Sequence, residues 1–445
     1  MKRHYFGTDG VRGVANTVVS PTLAMALGAA AVQVLGADRP LVVGRDPRIS
    51  GDMLEAALTA GVLSQGADII PLGVVPTPTV SFVTRRAGAS AGIVVSASHN
   101  PFADNGIKFF GPDGRKLADE TELRIESLLA QWESIPRPSG AALGRIRPDT
   151  AGVTAYADWL ASTLAPADLS GMVLAVDCAH GAASAIAPAL FERLGARVHL
   201  VGASPDGVNI NHNVGSTSIA TVAAVVQAHH CDAGVAFDGD ADRALLVDRN
   251  GRVFDGDRIL CSAALHRIGE GHPADSVVVG TVMSNLGLEH RLERAGVRLE
   301  RADVGDRYVM EAMSRSGAWI GGEPSGHILY PDLSPTGDGM LTALQVLRVV
   351  RTSGRSLDSW HEEMTTYPQR LVNVNVSDKQ GWAESETIGA AVAAARRDLE
   401  GSGRILVRAS GTENKIRVMV EASDAAMVDR LVESVAATIR AERGV

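Results

Sequence analysis

The chain has 445 residues, 45% hydrophobic and 21% charged, which is too long for one ordinary core and reads as a globular enzyme of roughly two to four domains. Its net charge of −9 argues against a general nucleic-acid binder, because a phosphate backbone demands clustered Lys and Arg. Three widely spaced cysteines, Cys178, Cys231 and Cys261, form no CxxC pair and suit a reducing cytoplasm better than a zinc site or a disulfide scaffold.

Strands and helices are expected to alternate from the start. No long apolar segment follows Met1-Lys2-Arg3-His4, so a signal peptide is not expected. Ser20-Pro21 opens a helix, with a cap and then Pro at the first helical position, and Gly36 closes it. The stretch Leu23 to Leu35 is too short to span a bilayer, so no membrane partner is expected. Its apolar face, with Leu23, Leu27 and Val34, reads as core. Strands are expected at Leu41–Val43, Ile69–Ile70 and Ile93–Val95, with a helix over Gly51–Gln65 stopped by Gly66.

The rhythm restarts near Met172: strand Val173–Val176, helix Ala182–Leu194, strand Val198–Val201, a further helix, then strand Ala233–Phe237. Asn250-Gly251 marks a hairpin turn. It restarts again at Asp255: a helix to Ile268, strand Val277–Gly280, helix Leu286–Ala295, a strand to Arg301 and a helix over Asp306–Met313. The last segment differs, with strands Leu371–Val376, Ile405–Val407 and Ile416–Val420 and helices Trp382–Leu399 and Asp424–Arg440. The fold class expected is therefore α/β: three similar consecutive α/β units followed by a C-terminal α+β module. Pro136–Gly140 and Thr365–Pro368 read as linkers.

Chemistry concentrates in five short motifs. Asp238-Gly239-Asp240-Ala241-Asp242-Arg243 places three carboxylates at alternate positions just after an apolar strand. Their mutual repulsion calls for a cation, and oxygen-only ligands favour a hard ion such as Mg2+. A calcium EF-hand is ruled out, because Arg243 and Arg249 stand where that loop needs Gly and Glu. Ser96-Ala97-Ser98-His99-Asn100-Pro101 sets hydroxyls at a strand end beside a His that can activate or orient them. On a regular strand Ser96 and Ser98 would face the same side. Asn105, Gly106 and Lys108 follow on extended chain. Gly322-Glu323-Pro324-Ser325-Gly326-His327 suits sugar hydroxyls and amines. Arg408-Ala409-Ser410-Gly411-Thr412-Glu413, with Arg417, is an anion nest flanked by two guanidinium forks. In Phe6-Gly7-Thr8-Asp9-Gly10-Val11-Arg12-Gly13 the glycines let the backbone bend while Arg12 points to an anion. Taken singly, each motif also reads as an ordinary polar turn.

The fixed order of all five resembles the α-D-phosphohexomutase superfamily over essentially the whole chain. Gly-Glu-Pro-Ser-Gly-His at 322–327, Ser-Ala-Ser-His-Asn-Pro at 96–101 and the segment Asp303–Val309 bring it closest to the bacterial glucosamine-phosphate branch. The resemblance implies four domains around a central cleft. These are 1–150 with a phosphoserine loop, 151–253 with a metal loop, 254–366 with a sugar loop and 367–445 with a phosphate loop. It implies that Ser98 carries a phosphoryl group and that Asp238, Asp240 and Asp242 hold Mg2+ together with a phosphoserine oxygen. Glu323 and Ser325 would bind the sugar; Arg408, Ser410, Gly411, Thr412 and Arg417 would grip the non-reacting phosphate. His99, Lys108, Arg12, Arg243 and His327 would handle protons or charge. The implied reaction interconverts glucosamine 6-phosphate and glucosamine 1-phosphate through glucosamine 1,6-bisphosphate, in the cytoplasm, feeding UDP-N-acetylglucosamine and cell-wall precursors. A phosphoglucomutase or phosphomannomutase is the alternative within the family, and a non-catalytic phosphosugar-binding protein the alternative outside it. A homo-oligomer is compatible with the sequence but not specified by it.

Overall fold

Each apolar run ends where glycine, proline or acidic residues take over, and the runs pair into four sheets in a computed structural model. It describes residues 4–7, 9–149, 151–273, 276–410 and 413–445. The first sheet contains β1 (Phe6–Gly7), β2 (Gly10–Val14), β3 (Leu41–Arg45), β4 (Ile69–Val74), β5 (Ala91–Val95) and β6 (Asp104–Phe110), in the order β1-β2-β6-β5-β3-β4. β3 runs parallel to β4 and β5, whereas β6 is antiparallel to both β5 and β2. The second sheet contains β7 (Val173–Asp177), β8 (Arg197–Val201), β9 (Ala233–Phe237), β10 (Ala244–Asp248) and β11 (Val253–Phe254), ordered β11-β10-β9-β7-β8. The third contains β12 (Val277–Thr281), β13 (Arg298–Ala302), β14 (Ile320–Gly322) and β15 (Ile328–Leu329), ordered β13-β12-β14-β15. The last is antiparallel throughout: β16 (Gln369–Asn375), β17 (Gly403–Ala409) and β18 (Lys415–Ala422), ordered β16-β18-β17. The fold is three α/β domains with mixed sheets and a C-terminal α+β domain.

All five motifs occupy the same architectural slot, the loop of an antiparallel hairpin. Asp9 lies between β1 and β2, and the Ser98 loop joins β5 to β6. The acidic loop joins β9 to β10, the Glu323 loop β14 to β15, and the Ser410 loop β17 to β18. Hairpin loops leave backbone N–H and C=O groups free to bind ligands or other loops.

The helix at Pro21–Leu35 begins as its sequence requires: Ser20 Oγ accepts from Leu23 N at 3.1 Å, and Gly36 follows with φ 94°. Leu27 is buried in the first domain's core, with Leu23 and Val34 packed against it. The helix expected over Ala182–Leu194 is broken into a 3-10 turn at Ala182–Ala185 and an α-helix at Ala187–Arg193. Pro188 has no N–H and is tolerated only in a first turn, so the α-helix restarts there. The Ala-rich helix starts at Glu386 rather than Trp382, because Ser385 caps it through Ile388 N.

The second and third domains share one hydrophobic core. It runs from Tyr156, Leu174 and Phe237 to Ile259, Val278, Leu344 and Trp360 without interruption. At its centre lies the helix Gly339–Ser353, which the sequence reading did not anticipate; it is buried on most of its surface, with Gln345, Arg348 and Thr352 forming a narrow polar stripe. Asp338 caps this helix through Leu341 N and accepts a 2.8 Å hydrogen bond from the Tyr156 hydroxyl. Burial pushes the Asp338 carboxyl up to about 6, against those hydrogen bonds.

Candidate active site

Ser98 stands just past β5, where the strand has ended and φ is +50°. It is 1% exposed. Its hydroxyl donates to Asp238 Oδ2 at 2.6 Å and lies 3.3 Å from His99 Nδ1. The positive φ ends the strand alternation, so Ser96 and Ser98 do not face the same side as a regular strand would have them. Ser96 Oγ instead donates to Asp46 at 2.6 Å and accepts from Ser98 N at 2.9 Å. It is a hydrogen-bond partner of the loop, not a second hydroxyl presented to the cleft.

The acidic loop meets the serine loop backbone to backbone. A Cβ on Gly239 would lie 2.5 Å from the Ser98 carbonyl oxygen, so only glycine allows the approach. Asp238, Asp240 and Asp242 offer carboxylate oxygens that all lie within 4.8 Å of one another, and all three side chains are buried. Lys108, from β6, donates to Asp240 at 2.8 Å and lies 3.1 Å from Asp9 and 3.6 Å from Asp242. Burial disfavours the ammonium, but Asp240, Asp9 and Asp242 outweigh it and hold Lys108 above its ordinary value. Thr77 anchors Asp240 through its hydroxyl at 2.6 Å. Burial and the neighbouring carboxylates of Asp242 and Asp240 hold Asp238 well above the usual carboxylate range. For Asp242 burial acts upward, yet Lys108 and His327 bring it below that range.

These residues fit a hard cation. Oδ1 of Asp240 and of Asp242 is buried without any donor among the described residues, and a buried carboxylate oxygen left bare is costly. Three oxygen donors converging on one point, with Ser98 Oγ beside Asp238, form the donor set that Mg2+ takes.

His99, Arg12, Asp242, Arg243, Glu323 and His327 line a cavity of about 810 Å³, together with Asp9, Lys116, Gly305 and Asp306. Ser98, Lys108, Asp238 and Asp240 are buried behind this lining. Arg243 Nη1 is 3.4 Å from His99 Nδ1; a guanidinium only donates, so Nδ1 is the unprotonated nitrogen. Burial, then the Arg243 and Arg12 charges, push His99 below its ordinary value. His327 behaves oppositely. Burial disfavours its cation, but Asp242, 3.6 Å from Nδ1, and Asp306, 3.6 Å from Nε2, hold it above its ordinary value. Glu323 accepts from Gly305 N at 2.8 Å and from Ser325 Oγ at 3.2 Å. Gly326 has φ +85°, and a Cβ there would lie 2.1 Å from the Ala244 carbonyl, so the Glu323 loop seats directly against the start of β10.

Three charged residues were not singled out as site residues from sequence. Asp9 pairs with Arg12, Lys108 and Lys116, and Lys116 reaches Asp306 of the third domain at 2.6 Å. Asp9 and Asp306 stood within quoted motifs; Lys116 carried no sequence signal.

The fourth domain's residues are arranged but stand apart. Arg408 and Arg417 are direct cross-strand partners, a placement that repels unless an anion bridges it. Burial and Arg417 push Arg408 below its ordinary value, with Asp303 opposing. The Nε atoms of both arginines are buried and unpartnered among the described residues. Ser410 accepts from Glu413 N at 3.3 Å. None of the three lines the cavity. Gly411 and Thr412, expected in the same nest, lie outside the described residues.

Family models described as phosphoglucomutase/phosphomannomutase domains I, II and III and the C-terminal domain match residues 3–135, 154–251, 255–367 and 371–438. The chain is 48% identical over 443 residues to a phosphoglucosamine mutase from Halalkalibacterium halodurans, covering 99% of each chain. It is 49% identical over 443 residues to another from Symbiobacterium thermophilum, covering 98% of this chain and 99% of that one. Among solved structures, a phosphoglucomutase/phosphomannomutase family protein from Burkholderia thailandensis superposes with TM-score 0.81 at 22% identity, over 98% and 97% of the two chains. Aspergillus fumigatus N-acetylphosphoglucosamine mutase, in complex with GlcNAc-6P and magnesium, gives 0.70 at 19%, over 99% and 96%. At such identities these two structures speak to fold alone. Four domain matches in order and near-half identity over the whole length carry the assignment: the chain belongs to the phosphoglucomutase/phosphomannomutase family.

Proposed function

We propose that the chain interconverts glucosamine 6-phosphate and glucosamine 1-phosphate, with Ser98 as the phosphoryl carrier and glucosamine 1,6-bisphosphate as the intermediate. One observation carries the chemical part: a buried serine hydroxyl, 2.6 Å from Asp238, at the edge of three converging carboxylates. The relatives named phosphoglucosamine mutase support the sugar. Asp238, Asp240, Asp242 and a phosphoserine oxygen would hold Mg2+, which when bound neutralises charge on the transferring group. The three buried, unpaired cysteines are compatible with the cytoplasm as its setting. No described helix is long and apolar enough to cross a membrane.

In the first half-reaction the P–Oγ bond to Ser98 breaks as a bond to a sugar hydroxyl oxygen forms; the hydroxyl's proton passes to neutral His327, and Ser98 Oγ takes a proton from Asp238 or His99. Little covalent assistance is needed; placement and charge neutralisation dominate. Arg243, Arg12 and Lys108 supply fixed positive charge. In the return half-reaction the Ser98 hydroxyl attacks the other phosphate. Its proton has two acceptors in reach, Asp238 and the unprotonated Nδ1 of His99 at 3.3 Å. His327, between Asp242 and Asp306, gives the leaving sugar oxygen its proton in this half-reaction. Glu323 and Ser325 bind sugar hydroxyls or the amine, and Arg408, Ser410 and Arg417 bind the distal phosphate.

Turnover of glucosamine, glucose and mannose 6-phosphates, compared under one assay, tests the sugar. Preference for the glucosamine compound is expected; equal or better use of mannose 6-phosphate would overturn it. Peptide mapping of purified protein should find phosphate on Ser98 and none on Ser96.

A further inference from the structure

Ser98 sits in a left-handed backbone conformation that a non-glycine residue adopts only when its surroundings impose it. Two sets of hydrogen bonds impose it. On the amide side, Ser98 N donates to Ser96 Oγ at 2.9 Å, and Ser96 Oγ donates to Asp46 Oδ2 at 2.6 Å. Asp46 in turn accepts from Arg48 Nε at 2.9 Å and from Arg48 N at 3.1 Å. On the carbonyl side, the Arg48 guanidinium donates to the oxygens of Ser98 at 2.9 Å, Asn100 at 2.8 Å and Asp104 at 3.0 Å, and also to that of Pro101. One side chain thus ties the end of β5 to the start of β6 and spans the serine loop between them.

Arg48 is 1% exposed and Asp46 is fully buried. A buried ion pair is a weak contributor to stability, because desolvation offsets most of its attraction. What this pair provides is direction: the side-chain N–H groups of Arg48 point at Asp46 or at a carbonyl of the serine loop. Lysine, with a point charge and no planar fork, cannot reproduce that pattern. Asn211, from the second domain, donates through Nδ2 to the same two carbonyls, Ser98 at 2.9 Å and Asn100 at 3.1 Å. The serine loop is therefore held from both sides of the domain junction, beside the loop that bears the carboxylates.

We propose that Arg48, seated by Asp46, is a positioning residue that sets Ser98 in line for phosphoryl transfer, and that Asn211 couples this setting to the docking of the second domain. The inference rests on Ser98 being the phosphoryl carrier. In-line transfer is steeply sensitive to placement, and a displacement of about 1 Å can cost about 100-fold in rate.

The test uses full-length wild type and the variants Arg48→Lys, Ser96→Ala and Asn211→Ala. Each is charged with radiolabelled glucosamine 1,6-bisphosphate, and single-turnover transfer between Ser98 and sugar is followed beside steady-state kcat and KM. Mn2+ binding to the dephosphorylated proteins and thermal melting report whether the carboxylate site and the fold persist. Arg48→Lys is expected to lower kcat and the transfer rate about 100-fold, with KM and Mn2+ affinity near wild type. Ser96→Ala and Asn211→Ala are expected to lower the same rates about tenfold, as the loss of one or two hydrogen bonds implies. A folded Arg48→Lys protein with wild-type transfer, or with a defect confined to KM, overturns the proposal. Should Arg48→Lys fail to fold, wild-type transfer rates in both other variants overturn it. A wild-type enzyme that takes no label on Ser98 overturns the phosphoserine reading, and this inference with it.

Discussion

Two pairs of facing groups divide this molecule. The hairpin loops at Ser98 and Asp238 come from different domains yet share hydrogen bonds, a backbone contact and a buried lysine. The hairpin bearing Arg408 and Arg417 comes from a third place and lines no part of the cavity, with buried guanidinium nitrogens left unpartnered. The first region is finished before any substrate arrives. The second sets two guanidiniums side by side, offset among the described residues only by Glu413, 3.7 Å from Arg417, and by Asp303, and has room for a further anion. Phosphoryl transfer needs rigid placement, whereas an intermediate that presents each of its phosphates in turn needs a grip that can let go. One protein meets both demands by separating them in space.

The sharpest way to break this contrast is Ser98→Ala. It is expected to abolish both phosphoenzyme and mutase turnover, read by intact mass and a coupled assay, while melting stays near wild type; retained activity would remove the serine loop from the chemistry. Next come Arg408→Ala and Arg417→Ala. Each removes charge-assisted hydrogen bonds of about 1.5–3 kcal/mol, so KM should rise roughly 10- to 100-fold while Ser98 remains phosphorylated. A large fall in Ser98 phosphate occupancy would show the two regions to be one unit. A smaller effect is expected on metal affinity. Dephosphorylated protein should bind Mg2+ about tenfold more weakly than the phosphoserine form, because one anionic oxygen ligand is missing; calorimetry on the two forms measures it.

The last effect leaves the chemistry alone and changes only stability. Asp338, ordinarily near 3.8, is pushed up to about 6 in the folded chain. Between those values the folded state holds a proton that the unfolded state has released. Stability should therefore fall as pH rises from about 4 to about 6, by on the order of 3 kcal/mol, and stay level in this respect above that. Asp338→Asn, which keeps the cap, should flatten that part of a urea-denaturation pH profile.

Much of this was legible in the sequence for one reason. Polar residues crowded at the ends of apolar runs need no packing partner to be recognised, so Asp238, Ser98, Glu323 and Arg408 stood out unaided. What joined them did not. An apolar run reads alike whether its neighbour is parallel or antiparallel, so the recurring hairpin slot was invisible. Lys116 and Asp9 are 107 residues apart in sequence, and nothing local ties one to the other. Ser96 was ambiguous because strand alternation does not announce where it stops, and the positive φ at Ser98 stops it. The helix Gly339–Ser353 escaped notice because it is buried on most of its surface, and amphipathic period is the signature by which helices are usually read.

Gly239 sets a clearance. With no side chain there, the peptide of one domain lies against the Ser98 carbonyl of another, with no room even for a Cβ. Even a single methyl group would act as a shim, lifting the carboxylates from the serine and admitting water beside the phosphoryl group. The cost would appear as hydrolysis: a transferase loosened at this point would begin to leak phosphate.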